Sequence, residues 1–176
     1  MSIMSTGFVR KMVPEDLERV LSWRNSEHVR QFMYTKHEIS LEEHRAWFER
    51  KNLDRNWTLL IFEDASGPCG YVSFRNSDTT STAEWGFYIA PYAVKGTGSR
   101  LGIAALTHAF EALNFATVRG EALASNENSI RFHEKMGFRR QDVLSGGRFV
   151  GGNYHDIVCF GITAPEWQAA KVRLAK

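Results

Sequence analysis

The chain is poor in several things that would have set its class at once. It has two cysteines in 176 residues, Cys69 and Cys159, each in an apolar, strand-like run. Two isolated thiols give neither a disulfide framework nor a metal-ligand spacing, and they suit a reduced cytoplasmic protein. No metal site is expected. No apolar run is long enough to span a membrane, and Met1 to Lys11 lacks an apolar core of signal-peptide length. There is no block of one charge: 22 basic and 20 acidic residues leave a net charge of +2, with the basic residues scattered. That gives no pull toward nucleic acid or a membrane surface. Repeats, low-complexity tracts and linkers are missing too. Length and ordinary composition point to one domain over residues 1–176 with a sizeable core.

What is there centres on Glu84 to Ala105. Thr82 to Ile89 is rich in aromatic and β-branched residues and reads as a strand, ended by Pro91. Gly96 and Gly98 punctuate a turn, and from Leu101 the apolar residues fall at helical spacing. A strand–turn–helix of this kind leaves the first helical N–H groups unpaired, with the helix dipole behind them. That is a site for phosphate. Lys95, Thr97, Ser99 and Arg100 complete the loop. Leu101 stands where the dinucleotide fingerprint needs a glycine, and no Gly-Lys-Ser/Thr follows, so neither nucleotide motif is met.

Around it the order of elements can be read. Phe8 to Val13 is a strand, and Pro14 opens a helix with Leu17, Val20 and Leu21 on its buried face. Glu27 to Met33 is a second helical piece. Ser40-Leu-Glu-Glu43 is a capping box that opens a third helix through Lys51. Trp57 to Glu63, Cys69 to Arg75 and Thr82 to Ile89 form an antiparallel meander, joined by turns at Asp64 to Pro68 and Asn76 to Ser81. Val118 to Leu123 is a strand, parallel to the last by the long helical crossover. Asn126 to Met136 is a helix closed by Gly137. Phe138 to Leu144 and Tyr154 to Ile162 are strands about a turn at Gly146-Gly147, and Thr163 to Glu166 caps a terminal helix. The fold expected is mixed α/β, a seven-stranded central sheet flanked by helices.

Two stretches resemble the GCN5-related N-acetyltransferases (GNAT). Lys95-Gly-Thr-Gly-Ser-Arg100 lies where that family has its pyrophosphate loop. Asn126-Glu-Asn-Ser-Ile-Arg-Phe-His-Glu-Lys-Met-Gly-Phe138 is similar to its Asn-x-x-Ala/Ser-x-x-Leu-Tyr-Glu-Lys-x-Gly-Phe signature. The N-terminal half, with Trp23-Arg-Asn-Ser26, Val29 to Met33, Ile39 to His44 and Ala46-Trp-Phe48, together with Glu84 to Tyr88 and Tyr154-His-Asp156, looks like the branch serving pseudaminic acid biosynthesis. The resemblance implies acetyl-CoA as co-substrate, held by Ile89, Lys95 to Arg100, Asn126, Ser129 and Lys135. It implies as acceptor the 4-amino group of UDP-4-amino-4,6-dideoxy-N-acetyl-β-L-altrosamine, held by Trp23, Arg24, Asn25, Arg30, Met33, His44, Trp47 and Phe48. A homodimer is allowed for. Two positions depart from the pattern: Arg100 replaces the third loop glycine, and His133 replaces the tyrosine that protonates the leaving thiolate.

The chemistry can be argued beside the resemblance. The amine must be neutral to attack a thioester, so a base helps, and Glu84 is the best-placed carboxylate. Period-two alternation puts Glu84, Gly86 and Tyr88 on one strand face, Trp85, Phe87 and Ile89 on the other; Tyr88 joins the catalytic set. A glutamate needs a raised pKa or a relaying water for this task. A backbone N–H near Ile89 would meet the oxyanion, and His133 would supply an acid. Arg24 and Arg30 would suit a diphosphate. Each has an ordinary alternative. Trp23, Met33, Trp47 and Phe48 also fit a core, Arg30 also fits a pair with Glu27, and His155-Asp156 reads as structural or acceptor-facing. Two further readings stay open: a GNAT enzyme acting on a ribosomal-protein N-terminus or a polyamine, and a non-catalytic acyl-CoA or nucleotide sensor.

Overall fold

The computed structural model describes residues 7–77 and 80–176. Residues 1–6, the first part of the stretch read for a leader, and residues 78–79 of the polar turn lie outside the described residues. Seven strands form one sheet: β1 (Phe8–Lys11), β2 (Trp57–Asp64), β3 (Gly67–Asn76), β4 (Thr82–Ile89), β5 (Thr117–Leu123), β6 (Arg139–Val150) and β7 (Asn153–Thr163). Their order is β1-β2-β3-β4-β5-β7-β6. All neighbours are antiparallel except β4 and β5. That parallel pair needs a crossover, which α4 (Thr97–Thr107) and its continuation through a wide turn at His108–Ala112 provide.

Helices cover both faces. On one, α4, α5 (Glu127–Met136) and α6 (Ala164–Leu174) bury Leu101, Ala105, Met136 and Trp167 against Phe74, Trp85, Val118 and Phe160. On the other, α1 (Leu17–Asn25) and α3 (Leu41–Leu53) bring Leu17, Val20, Trp23 and Phe48 onto Leu59, Ile61 and Tyr71. Side chains of this size contribute roughly 1.5–3 kcal/mol each when fully buried. The short α2 (Glu27–Arg30) seats Val29. Buried Asp16 links the N-terminal turn to the sheet: it accepts both Arg10 guanidinium nitrogens, at 2.7 and 2.9 Å, and the Val13 N–H.

Local signals set the helix ends. Ser40 and Glu43 exchange hydrogen bonds across the first turn of α3, as do Thr163 and Glu166 in α6. Gly137 closes α5 at φ 96°, where its neighbour Phe138 donates back to the His133 carbonyl. Several expected boundaries shift. The crossover helix starts at Thr97 rather than Leu101, because Gly96 at φ 92° caps it. The second helical piece ends at Arg30, not Met33. Gly67 and Pro68 belong to β3. Gly146 and Gly147 do not turn the chain; they lie in a bulge inside β6, and the hairpin turns at Gly151-Gly152. Two glycines look alike in a turn and in a bulge; the bulge is held by distant partners, Asp156 accepting the Gly146 N–H.

Candidate active site

The site arises where the parallel pair comes apart. β4 and β5 pair only at Thr82, Ala83 and Glu84, opposite Thr117, Val118 and Arg119. Beyond that rung they diverge, and a cavity of about 880 Å³ opens between them. Strand alternation shows what lines the gap. The Ala90 N–H donates to Cys69 on β3, so those of Ile89 and Phe87 face the other way, toward the edge β5 has left. Two backbone donors are thereby offered to a ligand lying beside β4.

At the far end of β4, the chain turns into α4. Gly96 holds a left-handed conformation that other residues adopt at a cost. The Thr97 N–H returns to Val94 and that of Arg100 to Gly96, which leaves Gly98 and Ser99 with amides no helix can pair. Space around Gly98 is open: an added Cβ there would meet nothing within 4 Å. Lys135, from α5, donates to Ser99 Oγ at 2.7 Å and so adds its charge to the helix dipole. Lys95 is exposed on the approach. Arg100 plays another part from the one its position suggested. Its guanidinium is bonded to Asp64 at 2.9 Å and to Thr97 Oγ1 at 3.1 Å, tying the start of α4 to the β2–β3 turn. The Ser66 hydroxyl and N–H, with Arg100, hold the Asp64 carboxyl down to about 2.

His133 is the clearest correction. It is 1% exposed. Its Nε2 accepts from the Trp85 indole N–H at 3.1 Å, so Nδ1 carries the proton and donates to the Ser129 carbonyl at 2.8 Å. The ring stacks on Phe160 at 4.5 Å. Burial pushes its pKa down to about 4. A neutral imidazole with both nitrogens engaged is not poised to give a proton to a leaving group. Gly120 is part of this arrangement, because a Cβ there would stand 2.5 Å from His133 Nε2.

The two remaining catalytic candidates lie on the cavity wall. Alternation along β4 is as expected: Trp85 and Phe87 pack on Phe132 and Phe138, whereas Tyr88 meets Tyr71 at 4.9 Å on the opposite face. Burial, and then Tyr71, hold the Tyr88 phenol well above its ordinary pKa, so it keeps its proton. Glu84 is exposed at the last paired rung, opposite Arg75 and Arg119. It lies five residues from Ile89, about 16 Å along the strand. One reacting centre cannot touch both directly.

On the acceptor side the structure regroups the expected residues. Met33 lines the cavity. Trp23 and Phe48 are core; His44 and Trp47 stack at 5.1 Å and pack toward Tyr71. Asn25 exchanges two 2.8 Å bonds with the Ile39 backbone, Arg24 donates to the Thr35 carbonyl, and Arg30 reaches Glu38, not Glu27. These residues hold the segment between α2 and α3 in place. The basic groups that do reach the cavity are Arg119 on β5 and Arg148 on β6, with Phe32, Tyr34 and Glu121 beside them. The sequence carried no local signal for these; only pairing across the sheet brings them together. Asn126 caps α5 and, with Ser129, lines the opposite wall. His155 and Asp156 hold the β6–β7 hairpin through Val150 and Gly146.

Comparison with known proteins decides the family. The family profile described as an acetyltransferase (GNAT) domain matches residues 8–139. The chain belongs to the GNAT acetyltransferases.

Among relatives, the acetyltransferase PseH of Campylobacter jejuni is 30% identical over 129 residues, 73% of this chain and 80% of PseH. A putative ribosomal N-acetyltransferase of Bacillus subtilis, YdaF, is 32% identical over 105 residues, 58% of this chain and 57% of YdaF. The spermidine N-acetyltransferase of Vibrio cholerae, solved with CoA and spermine, superposes with a TM-score of 0.85 at 22% identity, covering 93% of this chain and 99% of that one. Like other GNAT enzymes this one transfers acetyl from acetyl-CoA. The open β4 edge and the cationic start of α4 suit a pantetheine arm ending in a diphosphate. Among the described residues no cluster of three or more His, Cys, Asp or Glu could hold a metal, and no helix is long and apolar enough to cross a membrane.

Proposed function

We propose that this GNAT enzyme, one domain over residues 1–176, acetylates the primary amine of a nucleotide-linked amino sugar in the cytoplasm. The sugar nucleotide expected is UDP-4-amino-4,6-dideoxy-N-acetyl-β-L-altrosamine. The observation that carries this is the placement of Arg119 and Arg148 on the acceptor wall beside the apolar lip of Val29, Phe32 and Met33. Two guanidinium groups suit a diphosphate and repel a polyamine, and the lip suits a deoxy sugar or a base. PseH, similar over most of the chain, is in keeping with it.

In this reading the free amides of Gly98 and Ser99, with Lys135, hold the CoA diphosphate, and the Phe87 and Ile89 N–H groups hold the arm and the thioester oxygen. The acceptor ammonium gives up one proton, the neutral nitrogen bonds to the acetyl carbon and gives up a second proton, and sulfur leaves with the C–S electron pair and takes up one of the two. The products are an amide, a CoA thiol and one proton. Tyr88, still protonated and on the cavity wall, is the hydroxyl assigned here to meet the thiolate in place of His133; the thiolate needs little help, with a thiol pKa of about 8.5.

A second reading has its own observation: Glu84, Glu121 and Asp142 also line the cavity and would attract a polycation. Free-thiol release from acetyl-CoA, measured with the UDP-amino sugar, spermidine and a ribosomal N-terminal peptide, separates the three. The sugar nucleotide should give a kcat/KM at least tenfold above the others. A preference for spermidine would sink this acceptor assignment and leave acetyl transfer standing.

A further inference from the structure

The cavity holds a carboxylate better placed for the acceptor amine than Glu84. β4 and β5 run parallel and in step at Glu84 and Arg119. Two residues on, Glu121 is level with Gly86, and alternation turns it to the face that Glu84 occupies. Gly86 leaves the floor before it open; an added Cβ there would meet only Ser73 Oγ, at 3.5 Å. Gly86 lies one residue from the free Phe87 amide and three from that of Ile89, about 3 and 10 Å along the strand, whereas Glu84 lies about 7 Å further back.

Three distant parts of the chain fix this carboxylate. Oε2 accepts the Tyr34 hydroxyl at 2.9 Å and Arg148 Nη2 at 3.3 Å. The Arg148 guanidinium carbon in turn lies 4.8 Å from the Tyr34 ring centre. Both bonds land on the same oxygen. Among the described residues Oε1 accepts none, and the Glu121 side chain is 37% exposed, open to the cavity mouth. A carboxylate clamped by one oxygen, with the other free, presents a fixed acceptor to a ligand N–H.

We infer that Glu121 holds the acceptor amine, its Oε1 taking an N–H so that the nitrogen lone pair faces the acetyl carbon in the splay. Tyr34 and Arg148 are positioning residues that set the angle of that carboxylate. The assignment rests on acetyl transfer to an amine and holds whichever amine is taken.

The test uses the full chain and the amine that releases CoA fastest. Glu121→Gln should lower kcat/KM for the acceptor about 100-fold, with acetyl-CoA affinity and Tm close to wild type, the pattern of a group that touches the acceptor alone. Glu84→Gln should cost less than tenfold. Tyr34→Phe keeps the charge and loosens its angle, raising acceptor KM several-fold at unchanged acetyl-CoA KM; it carries the test should Glu121→Gln not fold. The inference is overturned if Glu121→Gln stays within threefold of wild type, or if Glu121→Gln and Tyr34→Phe lower stability and acetyl-CoA affinity as much as acceptor use. A peptide or spermidine in place of the sugar nucleotide overturns the acceptor proposed above and leaves this test intact. No turnover with any amine overturns both.

Discussion

His133 shows how one side chain can match a family position and lose the role that goes with it. Its two nitrogens are taken by Trp85 and Ser129, and burial keeps it neutral. Since the folded value of about 4 lies below the ordinary imidazole value, the unfolded chain binds the proton first as pH falls. Stability should therefore decline between about pH 6.5 and 4, by about 3 kcal/mol from this group. His44 and His108, also pushed down by burial, act in the same sense. Urea unfolding at pH 7 and pH 5 will show the decline, and a smaller one in His133→Gln. Gly120→Ala, which drives a methyl into the Trp85–His133 bond, should destabilise the fold by about 1–3 kcal/mol. Tyr88→Phe should lower kcat by no more than about tenfold if the phenol protonates sulfur, because the thiolate leaves readily without it; an unchanged kcat would remove it from the mechanism.

At the scale of elements, the start of α4 is a device assembled from four pieces: the Gly96 cap, the two free amides, Lys135 from α5 and the Arg100–Asp64 tie to the β2–β3 turn. Gly96→Ala forces a side chain to φ 92°, at roughly 1–2 kcal/mol. It should raise KM for acetyl-CoA without altering acceptor KM. Lys135→Gln should do the same, by a factor that shrinks as salt is raised from 0.05 to about 0.5 M. At the other edge, Asp16→Asn removes the buried charge that Arg10 grips and should cost about 2–4 kcal/mol, read from the shift in the urea midpoint. The N-terminal segment is held by such bonds as well as by its apolar face. That is why Arg24 and Asn25, which look like ligand residues in the sequence, serve the backbone of Thr35 and Ile39.

For the molecule as a whole, ligand binding and folding are linked through the splayed sheet. CoA at a hundredfold excess over its Kd should stabilise the fold by about 2.7 kcal/mol. For a chain of this length that is a rise in Tm of roughly 5–10 °C. Pantetheine, which lacks the diphosphate, should raise Tm far less at equal concentration. An equal shift would show that the cationic start of α4 contributes nothing to binding.

Much of this was written into the order of residues. Capping boxes at Ser40 and Thr163, the left-handed glycine at 137 and the strand–turn–helix around Gly96 act over three or four neighbours, so the sequence alone determined those ends and that turn. The two faces of β4 followed from alternation. Tertiary structure decided which side chains meet in the cavity. The parting of β4 from β5, the bulge that carries Arg148 round to Glu121, and the burial that silences His133 depend on pairing between segments dozens of residues apart. No local pattern encodes them, because a side chain's surroundings are set by whatever strand or helix packs against it.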